Sequence, residues 1–269
     1  FFPPGVNVPV GTGSGMLFPT NALFTSGKVG QPPFAGQFGS WLMYILAYVE
    51  QDNLRKSLDF TQREFANCNG PSSVGAQVVK IFICPTDPMP AGNVTTFVSG
   101  GVTYYFGMNS YLGNGGTYSY YYGDAAYSVD GAFYMNSRVT IGGITDGTSN
   151  TFMAGERYHK DPVYNAANLG AGKGIDSLGG WAWSNFAAVQ DCTGSTRVPL
   201  NYLVPVGSSP TNFAVTDPRV AAFGSGHTGG ANFALCDGSV RFVSNGDTST
   251  LGTYQALSTR AGGEVANLP

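Results

Sequence analysis

GHTGGANFALCDGSVRFVS, residues 226–244, is the stretch on which the fold turns. Two short runs, ANFALC and SVRFVS, flank Asp237-Gly238. An Asp-Gly pair between such runs is a strong hairpin signal, because a type I′ turn needs positive φ at both central positions. Two antiparallel strands closed by a tight turn are expected. Ten residues of extended chain at about 3.3 Å each approach 30 Å. His227 and Asp237 should therefore sit at opposite ends of one hairpin arm, not together as a catalytic dyad. Asp237 and Gly238 are assigned to the turn. His227 is expected to end the preceding loop by hydrogen bonding to backbone.

Beyond the hairpin, TSTLGTYQALSTRAGG sets Leu251, Tyr254 and Leu257 on one face before Gly262-Gly263, which predicts a short terminal helix with a glycine stop. Upstream, SWLMYILAYVEQDNLRKSL repeats Trp41, Leu42, Ile45, Leu46 and Val49 at helical spacing, with Ser40 as N-cap. A second short helix follows through Leu54 and Leu58. VVKIFICP reads as a buried strand stopped by Pro85, and GVTYYFGMNSYLG as another. GAFYMNSRVTIGGITDGTSNTFMAGERY reads as strand, turn, strand, and GWAWSNFAAV as strand-like. The expected class is α+β: a mostly antiparallel sheet on a short amphipathic helix at about 40–50, with long Gly/Pro-rich loops. Residues 1–39 form an extended Pro/Gly-rich lead-in, suited to strand addition on a neighbouring subunit. Residues 40–269 form one globular domain.

Composition narrows the functional classes. Of 269 residues, 42% are apolar, so the chain can build a core. Only 11% are charged and the formal net charge is −3, with no basic run to hold a nucleic acid. No apolar stretch approaches the roughly 18 residues of a membrane span. The four cysteines, Cys68, Cys84, Cys192 and Cys236, form no C-x-x-C and have no zinc-like spacing to a histidine. A Cys68–Cys84 bridge would close a short loop across a turn. Buried free thiols are the alternative, and four cysteines allow three connectivities.

Catalytic signatures are sparse. His159 and His227 are the only histidines, and no serine lies in G-x-S-x-G. GSGHTG, residues 224–229, matches G-x-G-x-x-G in letters but precedes a strand where a dinucleotide site needs a helix. Asp124, Asp130 and Asp146 lie in glycine-containing loops, where they either cap turns or gather a calcium ion. No metal-ligand set stands out. Glu156, after the apolar run NTFMAG, is the one candidate acid, with pairing to Arg138, Arg157 or a backbone donor as its structural role. The tyrosine-rich tract 117–128, with Tyr118, Tyr120, Tyr121, Tyr122 and Tyr127, offers flat rings with polar tips for stacking a sugar or packing against a subunit.

His227, nine residues, then Asp237-Gly238 reproduces an H-x9-DG signature. FPPG at 2–5, SWLMYILAYVEQDNL at 40–54, FICPTDP at 82–88, GMNSYLGN at 107–114 and SRVTIGGITDGTSNTFMAGE at 137–156 accompany it in order. With these pieces the chain resembles the planctomycete-type pilin-like family of unknown function, domain of unknown function 1559. That resemblance implies a prepilin-like start, an N-terminal hydrophobic anchor helix that would end just before Phe1, kinship with type II secretion pseudopilins, and no established activity. It points to a non-catalytic structural or assembly subunit outside the cytoplasm, at the cell surface or secreted. Such a subunit would associate with itself or with related subunits, reach a membrane only through that helix, and need no cofactor. An exported module binding a glycan or surface ligand through Tyr118–Tyr127 is the alternative.

Overall fold

In the computed structural model the described residues are 1–9, 30–118, 128–166, 174–184, 191–209, 213–248, 250–264 and 266. In chain order the elements are β1 (Val6–Asn7), β2 (Gly39–Ser40), α1 (Trp41–Ile45), α2 (Asp52–Lys56), α3 (Glu64–Asn67), β3 (Val94–Ser99), β4 (Val102–Gly107), β5 (Tyr111–Asn114), β6 (Phe152–Glu156), α4 (Pro162–Ala166), β7 (Thr193–Gly194), α5 (Phe213–Val220), β8 (Gly230–Leu235), β9 (Val240–Ser244) and α6 (Leu251–Ala256). The class is mixed α+β, with antiparallel sheets and few, short helices. None of the described helices is long and apolar enough to cross a membrane.

Five strands form the central sheet in the order β7-β5-β6-β8-β9, while β1-β2 and β3-β4 are separate two-stranded ribbons. All pairings in the central sheet are antiparallel except β5 with β7. The C-terminal hairpin forms as β8 and β9, but its turn is not type I′. Gly238 N–H donates to the Leu235 carbonyl and Leu235 N–H to the Ser239 carbonyl, and of the loop residues only Gly238 has positive φ, at 88°. This is a three-residue loop, Cys236-Asp237-Gly238, ending in a left-handed glycine. Asp237 secures it by accepting from Ser239 N at 2.9 Å and Ser239 Oγ at 2.7 Å.

One face of the central sheet carries Phe152, Phe233, Leu235 and Val243, which bury against Phe223 and Tyr254 of α6. The other face turns toward a larger core built on α1. Ser40 caps α1 as expected, accepting from Met43 N at 3.2 Å and donating to the Trp181 carbonyl at 2.6 Å. The helix is not amphipathic, however: Trp41, Leu42, Met43 and Tyr44, more than a full turn, are all buried. A helix enclosed on every side has no solvent stripe to show.

Four further expectations are corrected. VVKIFICP is no strand: Lys80–Phe82 is a 3-10 turn, with Val79 and Phe82 inward and Ile81 62% exposed. Residues 131–140 carry only an isolated bridge from Met135 to Val6, so β6 alone survives of the expected strand pair there. GWAWS contributes buried Trp181 and Trp183 without forming a strand, and residues 185–190 lie outside the described set. Residues 1–9 run extended, but Pro4–Val8 are buried within this chain and not held out for a neighbour. Phe2 N–H donates to the Val139 carbonyl, Gly5 N–H to that of Tyr134, and Val6 and Val8 are core residues.

Candidate functional site

Strand β6 changes face midway. Its register shifts between Phe152 and Ala154, a bulge that leaves Phe152 and Gly155 both facing the Phe233 core. Glu156 is thereby turned to the opposite face, toward Cys84, His227 and Asn232. Without the extra residue its carboxylate would point into the rings of Phe233 and Phe223. Tyr111 pairs with Glu156 across β5–β6, and Asn232 pairs with Phe242 across β8–β9. Glu156 lies between them, and Asn232 donates to its Oε2 from the backbone N at 2.6 Å and the side-chain Nδ2 at 3.3 Å.

Two loops close over this carboxylate. The first is FICPTDP. Ser110, just before β5, holds it by donating its N–H to the Phe82 carbonyl at 2.8 Å and accepting from Cys84 N at 2.9 Å. The N–H that a strand would have given to a ladder is thus taken by a side chain, which fixes Cys84 beside β6. The second loop carries His227. Gly224 N–H donates to the Glu156 carbonyl at 2.9 Å, and Ser225 Oγ accepts from His227 N at 3.0 Å while donating to the Gly230 carbonyl at 2.8 Å. Gly226 lies so close to the Thr86 carbonyl that a Cβ there would collide with it.

The result is a three-residue cluster. Glu156 Oε1 lies 3.4 Å from Cys84 Sγ and 3.1 Å from His227 Nε2, and Cys84 Sγ is 3.6 Å from the same Nε2. Thr86 Oγ1 also touches the sulfur at 3.2 Å. Glu156 is buried, whereas the His227 side chain is 32% exposed. Burial pushes the Cys84 thiol up, and the hydrogen bond and charge of Glu156 add to this, against an opposing pull from Thr86. Burial likewise pushes up the Tyr111 hydroxyl, helped by the charges of Cys84, Glu156 and Asp87. A thiol held protonated is a poor nucleophile, so without a metal the cluster is a hydrogen-bonded tie. Among the described residues, Cys84, Glu156 and His227 are the group placed to ligate one.

The other histidine belongs to the same pair of segments. His159 Nδ1 lies 2.7 Å from Asp87 Oδ2 and its Nε2 lies 2.7 Å from the Leu178 carbonyl, both acceptors. His159 is fully enclosed and serves as a cross-link between FICPTDP and the end of β6. Farther along, Arg219 Nε donates to Asp161 Oδ2 at 3.0 Å inside the protein, tying α5 to the chain beyond β6.

The predicted site residues divide accordingly. Asp237 and Gly238 stand exposed at the hairpin tip, while His227 lies at the other end of β8, so the signature residues do not converge. His227 does not spend its ring on backbone, as expected from the sequence, but on Glu156 and Cys84. Glu156 pairs with a backbone donor and neither with Arg138 nor with Arg157. Cys68 and Cys84 form no bridge, and all four cysteines are free and buried. The Cys68 sulfur abuts Gly75 in the core, whereas that of Cys84 faces Thr86, Glu156 and His227. Asp130 accepts from Thr117 N and Oγ1, and Asp146 from Gly262 N and Gly263 N, so both cap loops. Tyr118 is 40% exposed, with Arg197 over its ring. Tyr120, Tyr121, Tyr122, Tyr127 and Asp124 lie outside the described residues.

The sequence hid the Cys84–Glu156–His227 cluster because its members come from three distant segments. The quoted blocks FICPTDP, MAGE and GSGH each end at or contain one member, and that shared placement was the available signal. No curated protein and no solved structure matches the chain. Residues 13–246 match the family described as "Protein of unknown function (DUF1559)", a span that includes all three cluster residues and Asp237-Gly238. The chain belongs to the DUF1559 family.

Proposed function

We propose that the chain is a non-catalytic structural or assembly subunit of an extracytoplasmic filament, pilus or pseudopilus, with a pilin-like role. The observation that carries this reading is the outer edge of β9. Leu235 and Ser239 form the first bonded pair of the hairpin, so by alternation the ladder bonds belong to Phe233–Arg241 and Ala231–Val243. The backbone groups of Val240 and Phe242 then point away from the sheet. Their side chains are also exposed, at 67% and 51%. No strand pairs with this edge among the described residues. Two consecutive outward positions that combine free backbone groups with apolar side chains suit strand addition by a second subunit. The edge stops at Ser244, whose N–H is taken by Asp247 Oδ2 at 2.9 Å.

The separation of His227 from Asp237 along β8 agrees with a non-catalytic role. The alternative, a glycan-binding tyrosine loop, has less support, since Arg197 already covers one face of the Tyr118 ring. Sedimentation velocity over a range of concentrations, with electron microscopy of the same samples, tests the proposal. Ordered oligomers or filaments are expected, and Val240→Lys with Phe242→Lys should return them to monomer without lowering Tm. A protein that stays monomeric throughout, or assembles equally well with both lysines, refutes it.

A further inference from the structure

We propose that Cys84 Sγ, Glu156 Oε1 and His227 Nε2 form a three-ligand site for a zinc-class divalent metal ion. The geometry carries the assignment. Zinc bonds thiolate sulfur at about 2.3 Å and imidazole nitrogen or carboxylate oxygen at about 2.0–2.1 Å in a tetrahedron. Those lengths place the sulfur about 3.5 Å from each of the other two donors, and nitrogen about 3.3 Å from oxygen. The corresponding separations here are 3.4 Å for sulfur to oxygen, 3.6 Å for sulfur to nitrogen and 3.1 Å for nitrogen to oxygen. Three donor atoms already stand near the corners of one tetrahedral face.

The surroundings suit a metal as well. Asn232 occupies the other carboxylate oxygen, Oε2, with two hydrogen bonds, which orients Glu156 and leaves Oε1 to bind through one atom. Thr86 Oγ1 at 3.2 Å can donate to a thiolate. Thiolate and carboxylate together balance the charge of a divalent ion, with imidazole neutral. Soft sulfur beside imidazole selects zinc-class ions over calcium or magnesium, which prefer all-oxygen sets. The partly exposed His227 ring gives the ion an entry path. Three protein ligands leave a fourth position for water or a further donor. This site is independent of the assembly reading: a metal here would lock FICPTDP, β6 and the His227 loop together in either case.

Cobalt substitution tests it. The full chain, reduced and freed of metal by chelator dialysis, is titrated anaerobically with Co²⁺ alone. One equivalent should raise intense tetrahedral visible bands and a near-ultraviolet thiolate-to-cobalt charge-transfer band, both erased by zinc. Cys84→Ser should remove the charge-transfer band although Cys68, Cys192 and Cys236 remain. His227→Gln, at a partly exposed position, should weaken cobalt binding by at least about 10-fold while the metal-free protein keeps its Tm. Asp237→Asn, at the far end of the hairpin, should leave the spectrum unchanged. Absence of the charge-transfer band in the wild type, or its survival in Cys84→Ser, overturns the assignment and leaves a hydrogen-bonded cluster. Should Cys84→Ser not fold, unaltered cobalt affinity in His227→Gln overturns it equally.

Discussion

Replacing Asp161 by Asn tests how the chain beyond β6 is held. Asp161 Oδ1 accepts from Tyr164 N at 3.0 Å, and Oδ2 accepts from Val204 N and Arg219 Nε, each at 3.0 Å. Both side chains of the pair are almost wholly enclosed, at 3% exposure for Arg219 and 0% for Asp161. An amide offers one acceptor oxygen where the carboxylate offered two, so a buried N–H loses its partner whichever way the amide turns. It also leaves the Arg219 guanidinium without its counter-charge, although the Tyr158 carbonyl still accepts from Nη2 at 2.7 Å. Breaking a buried pair by removing one partner costs about 3–5 kcal/mol. Unfolding entropy of about 2.1 cal/mol/K per residue over 269 residues gives about 0.56 kcal/mol/K, so a loss of 4 kcal/mol lowers Tm by about 7 °C. Urea denaturation followed by the fluorescence of buried Trp41, Trp181 and Trp183 measures the loss directly. Adding Arg219→Met removes the stranded charge and should recover part of it. A loss below about 1 kcal/mol in Asp161→Asn would refute the reasoning.

Three other expectations follow from the same structure. Thiol titration without reductant should find little reactivity in the native protein and four thiols after unfolding; two would mean a bridge. Burial, with help from Asp237, raises the Cys236 thiol from 9.0 to about 12. Its contribution to stability is therefore complete below the unfolded value and lost as pH rises through the folded one, so Tm should fall between about pH 9 and 12, and a flat profile there contradicts the burial. Gly238→Ala forces a side chain into φ 88° at the hairpin turn, and denaturation should register a loss of about 1–2 kcal/mol, whereas no loss would mean the loop is not as described.

Local chemistry was legible from the sequence. Ser40 caps α1 and Gly238 closes the hairpin because capping and turn formation depend on neighbouring residues alone. VVKIFICP misled because its apolar residues alternate between core and solvent in a 3-10 turn while Ser110, remote in sequence, captures the Cys84 N–H. Helical spacing in α1 foretold a helix but not its burial on every side, which depends on what Trp181, Cys192 and the first residues of the chain place around it. The convergence of the cluster at Glu156 was not legible, for two reasons. The bulge at β6 reverses the inward and outward pattern, and Cys84, Glu156 and His227 reach the same point only through the tertiary fold.

The strand order has a consequence for how the molecule is made. Strand β5 meets its first neighbour only when residues 152–156 exist, its second only at 193–194, and β6 must wait for 230–235. Made from its amino end, the chain therefore gives β5 both flanks only after residue 194 and β6 only after residue 235. Each closure joins segments far apart in sequence, the kind of pairing that forms slowly.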